Sequence, residues 1–161
     1  MPAHGPLIRR ATRGDLARIG ELGALLVAAH HGFDSKRFLE ATSRTKQGYA
    51  SYLRTQLDVP RAAVFVAEAA SAVVGYAYVA VESYDYMSLR GPAGIVHDLI
   101  VDPQFRGRGI GSALLDAAFE YFRANGMTQV VLATAQRNEA AQRFFAGAGF
   151  RPTMIEMTRE L

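Results

Sequence analysis

The segment Ile100-Val101-Asp102-Pro103-Gln104-Phe105-Arg106-Gly107-Arg108-Gly109-Ile110-Gly111-Ser112 constrains this chain more than any other. An apolar run ends at Asp102-Pro103, a loop of alternating glycines follows, and an amphipathic helical pattern begins. The first N–H groups of a helix have no intrahelical partner, and the helix dipole adds positive potential there. Glycines let an anion approach the backbone closely, so strand, loop and helix together form a phosphate cradle. Arg106 and Arg108 add two charged donors. A P-loop needs Lys and then Ser or Thr at its last glycine, and here Gly111 is followed by Ser112-Ala113. A dinucleotide fingerprint needs its third glycine where Ser112 stands. A plain tight turn with solvated arginines is the remaining alternative.

The flanking patterns read as one domain over 1–161 with alternating elements. Leu7 to Ala11 is a strand candidate, and Thr12 an N-cap with Asp15 in the first helical turn. Leu16, Ile19, Leu22, Leu26 and Ala29 give that helix a buried stripe, and Gly32 its stop. A second helix is expected over Phe38 to Leu57, closed by Pro60. Ala63–Glu68 and Val73–Val81 read as strands joined by a turn at Ala70-Ser71. Tyr84 to Gly94 is a loop, and Ile95–Val101 a strand. A helix through Ile110, Leu114, Ala118 and Phe122 ends at Asn125-Gly126. Val130–Ala133 is an apolar strand of a sheet covered on both faces. Asn138 caps a helix ending at Gly149, and Thr153–Arg159 reads as a closing strand. The order implies an α/β (α+β by some schemes) architecture with parallel pairing in the second half.

Composition narrows the function classes. A net charge of +3 without basic runs suits one polyanionic ligand and argues against nucleic acid as a partner. With no cysteine, disulfides, thiolate metal sites and thiol nucleophiles are excluded, and a reducing cytoplasm is the expected compartment. Met1–Gly5 has no leader pattern, and no apolar run is long enough for a membrane span.

These motifs resemble the GNAT N-acetyltransferase superfamily. Its signature, Arg/Gln-x-x-Gly-x-Gly/Ala, is met by Arg106, Gly109 and Gly111, after the strand Leu99-Ile100-Val101. The run from Asn138 to Phe150 is similar to the family's second motif, and Ile8 to Leu16 to its usual opening. The resemblance implies a mixed, twisted sheet with helices on both faces and acetyl-CoA as cosubstrate. The loop Arg106, Gly107, Arg108, Gly109, Ile110, Gly111 and Ser112 would then hold the pyrophosphate. Leu99, Ile100 and Val101 would pair with the pantetheine arm, which needs a strand splayed from its neighbour. Asn138 is implied as a further pantetheine contact and is equally a helix N-cap.

The same resemblance implies direct attack of an amine on the thioester. Leu99 N–H is the candidate oxyanion donor. His97, two positions earlier, is the candidate base, because imidazole titrates near neutrality. Strict alternation would put His97, Leu99 and Val101 on one face and Val96, Asp98 and Ile100 on the other; a histidine that only hydrogen-bonds is the alternative, and Asp98 reads as structural. Where relatives often carry a tyrosine acid, this chain has Phe145, which has no proton to give. Phe145 can still pack the sulfur region. Water, or a tyrosine such as Tyr84 or Tyr86, would then serve the thiolate, and an acyl-CoA-binding sensor is an alternative to an enzyme.

The acceptor is expected between the first two helices and the loop before the motif strand. His30, His31, Phe33 and Asp34 face Glu82, Tyr84, Asp85 and Tyr86 in that reading, with carboxylates and aromatics suiting a cationic small-molecule amine. Protein N-termini or lysines are the alternative acceptors. No metal site is expected from His30-His31 alone. The single closing strand suggests a homodimer, because some relatives with such an ending exchange it.

Overall fold

The computed structural model describes residues 5–161; Met1–His4, most of the stretch read as lacking a leader, lie outside the described residues. The order is β1 (Leu7–Arg10), α1 (Leu16–Phe33), α2 (Thr45–Gln56), β2 (Ala62–Ala69), β3 (Ala72–Glu82), β4 (Ala93–Val101), α3 (Ile110–Ala124), β5 (Val130–Leu132) and α4 (Glu139–Gly147). The strands form one sheet in the order β1-β2-β3-β4-β5. The first four are antiparallel, and β5 joins β4 in parallel. Leu16, Ile19, Leu22 and Leu53 of α1 and α2 pack on one face with Tyr76, Tyr78 and Ile100. Ile110, Leu114, Leu115 and Phe122 of α3 cover the other with Ala77, Val79 and Val96. The mixed sheet with helices on both faces is the expected architecture. Among the described residues no helix is long and apolar enough to cross a membrane.

The N-terminal corner follows from charge. Thr12 begins a short 3-10 turn, Arg13–Asp15, that leads into α1. Asp15 accepts Arg9 Nη1 and Nη2 at 2.8 and 2.9 Å and Thr12 N–H at 2.7 Å. The Arg9 guanidinium holds this buried carboxyl down at about 2.

Three expectations fail. Gly32 does not stop α1: the helix runs through it to Phe33, and Asp34 N–H closes the last turn onto His30 O at 3.1 Å. The second helix begins at Thr45 rather than Phe38. The Asp34 carboxylate accepts Lys36 and Arg37 N–H, and Thr45 Oγ accepts Thr42 N–H, so polar side chains hold 34–44 in turns. Thr153–Arg159 is not a strand; 151–161 has no regular structure, is exposed and is paired with no strand, its Met154, Ile155 and Met157 at 72%, 85% and 89% exposure. The turn at Ala70-Ser71 does form, with φ of 50° and 62° joining β2 to β3.

Candidate functional site

The site grows from two irregularities of β4. The first is a bulge. Tyr78 pairs with Asp98 and Val79 with Val96, so His97 is an extra residue with no partner on β3. Strict alternation is therefore broken. Val96 faces α3 with Leu99 and Val101, whereas Asp98 and Ile100 face α1 and α2. His97 turns to the same side as Asp98: its ring stacks on Tyr78 at 4.8 Å, and Nε2 lies 3.4 Å from Glu82 Oε1.

The second is a splay. Pairing of β4 with β5 ends at Val96 and Leu132, while β3 follows β4 on to Val101. Asp102 N–H donates to Val74 O at 2.8 Å, marking 74 and 102 as a hydrogen-bonded pair. Antiparallel alternation then points the N–H and C=O of Leu99 and Val101 away from β3, into the opening. Val101 O there accepts Arg106 Nε at 3.1 Å.

Beyond the splay the chain turns through Pro103–Phe105 into the exposed glycine loop. Gly107 and Gly109 have φ of 74° and 75°, a region in which other residues are strained. No neighbour lies within 4 Å of a Cβ built on either, so backbone conformation is the reason for glycine here. Ala113 N–H is bonded to Gly109 O, leaving the N–H groups of Ile110, Gly111 and Ser112 ahead of the helical ladder. Arg108 lies over the Phe105 ring at 5.2 Å. The splay, the loop torsions and the free helix-start donors fit an amide-rich chain ending in a pyrophosphate.

A cavity of about 440 Å³ opens at the splay. It is lined by His97, Asp98 and Leu99 of β4, Tyr49 of α2, Asn138 and Phe145 at α4, and Arg37 and Phe38 from the α1–α2 turn. Asn138 accepts Ala141 N–H at 3.1 Å, so it caps α4 and lines the cavity at once. Phe145 stands against Phe144 and Phe150 with ring centroids 5.1 and 5.7 Å away.

Asp98, read from sequence as structural, is a polar feature of this wall. Its Oδ2 accepts the hydroxyls of Tyr49 and Tyr76, each at 3.0 Å. Burial pushes its pKa up, opposed by those two hydroxyls, and burial beside Asp98 pushes both tyrosines up. Gly23 on α1 makes this possible: a Cβ there would lie 2.3 Å from the Tyr49 ring. The signal available in sequence was an acid inside an apolar strand, with tyrosines whose hydroxyls need partners when buried.

The expected acceptor residues divide. Glu82 reaches His97 and pairs with Arg90. His31 does not line the cavity; its Nδ1 lies 3.0 Å from Phe38 O, and Asp34 caps the following turn. Tyr84 and Tyr86 are 68% and 80% exposed on the 83–92 loop, outside the cavity wall. Arg37, Phe38 and Tyr49 were not assigned to the site from sequence.

The Acetyltransferase (GNAT) family matches residues 27–150 of the chain. The chain belongs to this family. An uncharacterized N-acetyltransferase of Methanocaldococcus jannaschii is 32% identical over 143 residues, 89% of this chain and 59% of that protein. A mycothiol acetyltransferase of Thermobispora bispora is 37% identical over 96 residues, 60% of this chain and 32% of that enzyme. This GNAT chain thus spans about three fifths and one third of these relatives. Among solved structures, a tetramutant of the BH1408 protein from Bacillus halodurans superposes with a TM-score of 0.84 at 23% identity, covering 96% of this chain and 99% of that one. Aminoglycoside N-acetyltransferase AAC(6′)-Iy in complex with CoA gives 0.74 at 18% identity, covering 100% and 98%. At these identities the likeness is one of fold.

Proposed function

We propose that this GNAT domain transfers the acetyl group of acetyl-CoA to a primary amine of a small molecule. The observation that carries the reading is the splay of β4 from β5 running directly into the glycine loop. Relatives named for mycothiol and aminoglycoside acetylation support a small acceptor. Leu99, Ile100 and Val101 present the open edge, Arg106 to Ser112 hold the pyrophosphate, and Asn138 and Phe145 flank the arm. Acetyl-CoA supplies a thioester carbonyl already activated toward amines.

The chain's residues then have separable tasks. Leu99 N–H, directed into the opening, donates to the oxygen that gains negative charge. His97 takes the proton that the acceptor nitrogen must lose, and Glu82 Oε1 lies 3.4 Å from its Nε2. Phe145 has no proton to give, so water supplies the one needed by the leaving sulfur. The same phenylalanine favours a second reading, an acyl-CoA sensor with weak turnover.

Acetyl-CoA incubated with small amines, with peptides and alone separates these readings. Free CoA with an acetylated small amine supports the proposal; binding without acetylated product supports the sensor, and peptide products move the acceptor class. A chain without cysteine acting on acetyl-CoA suits the cytoplasm. A homodimer is proposed on the tail, where Met154, Ile155 and Met157 expose apolar area that a second copy would cover. A monomeric mass by light scattering counts against it.

A further inference from the structure

The cavity wall carries an acidic and a basic side chain, Asp98 beside the bulge and Arg37 on the turn after α1. Around them the wall is largely apolar, with Leu26, Val27, Leu39 and Leu132 contributing. Arg37 is not a spare surface cation. Its guanidinium lies over the Phe38 ring at 4.9 Å, and Phe38 is fixed in turn by its N–H to Asp34 O at 3.0 Å. The planar fork is thus oriented rather than free.

That fork already holds a carboxylate. Arg37 Nη2 donates to Glu156 Oε2 at 3.0 Å, and Nε donates to Oε1, a two-pronged grip. Two parallel donors match the shape of a carboxylate, which the compact ammonium of lysine does not reproduce. Glu156 comes from the tail 151–161, which has no strand partner. Its side chain is 68% exposed, and an exposed pair of this kind adds little to stability. A competing carboxylate in the cavity can displace it.

We propose that the acceptor is an amine that also bears a carboxylate, such as an amino acid, with Arg37 reading the carboxylate and Glu156 occupying Arg37 in its absence. Asp98 and His97 face the ammonium end. This rests on the acyl-transfer reading and adds the acceptor's second charge to it.

The test uses matched amines: β-alanine against β-alaninamide, and lysine against lysinamide, each with acetyl-CoA and a free-thiol readout. Wild-type protein is expected to favour the carboxylate member in kcat/KM by about tenfold, one charge-assisted contact. Arg37→Ala brings that ratio to about one through KM, and Arg37→Lys restores only part of it. Glu156→Gln, which frees the fork, raises kcat/KM for the carboxylate members about twofold or more and leaves the amides unchanged. Equal turnover of both members by wild type, or a ratio that survives Arg37→Ala, overturns the inference and leaves acyl transfer standing. No turnover of any amine overturns both.

Discussion

At the N-terminal corner Asp15 accepts two donors from Arg9 and the Thr12 N–H, and its pKa falls to about 2. At the β4 bulge Asp98 is partly buried and accepts two tyrosine hydroxyls rather than a cation, and its pKa rises. Both hydroxyls meet the same oxygen, Oδ2, and the residue lines the cavity. Asp15 is thus paired with a cation, whereas Asp98 is held by two neutral hydroxyls.

The contrast can be broken by substitution. The largest expected effect is on turnover: His97→Ala should lower kcat with amine by about a hundredfold, with acetyl-CoA affinity retained. An unchanged pH–rate profile in that variant removes His97 as the base. On the folding side, Asp15→Asn should cost about 2 kcal/mol in urea unfolding and leave turnover intact. Because its folded pKa is depressed, Asp15 stabilises the protein fully above about pH 4, and that share is lost as pH falls toward 2. Titrating unfolding from pH 6 to about 2.5 in both proteins should bring their curves together at the acid end.

A smaller effect is expected at the loop. Gly109→Ala forces a side chain into φ of 75° and should weaken acetyl-CoA binding about tenfold by calorimetry, roughly 1.4 kcal/mol. Unchanged affinity would mean that the loop does not touch the donor. Smallest, and opposite in sign to Asp15→Asn, is the stability change of Asp98→Asn. Removing a buried charge whose pKa is raised should leave unfolding unchanged or improve it by less than about 1 kcal/mol. Acceptor turnover should fall in the same variant. A loss of 2 kcal/mol or more there would make Asp98 a folding residue like Asp15.

The regular parts of the chain were legible in its sequence. Apolar spacing gave α1, α3 and α4, the glycine loop stands between strand and helix as read, and Ala70-Ser71 turns as expected. Three features were not legible because none is a matter of period. The bulge at His97 depends on how β3 pairs, and it reverses the faces of Val96 and His97. The start of α2 depends on Asp34 and Thr45 drawing 34–44 into turns. The tail 151–161 has the composition of a strand and no partner to make it one. Of the candidate site, the strand and glycine loop stood out in the sequence, whereas the Asp98–Tyr49–Tyr76 cluster and Arg37 became visible only when helix, strand and turn met.

Acyl transfer at the splay of β4 yields two products, an acetylated amine and free CoA. Mass spectrometry of the small-molecule products of an incubation with acetyl-CoA and a mixed amine panel tests it most directly, with free thiol measured in the same sample. An amine carrying one acetyl group is expected, in amount equal to the CoA released, with both falling together in His97→Ala. Bound acetyl-CoA with no acetylated amine, or thiol released without one, would contradict it.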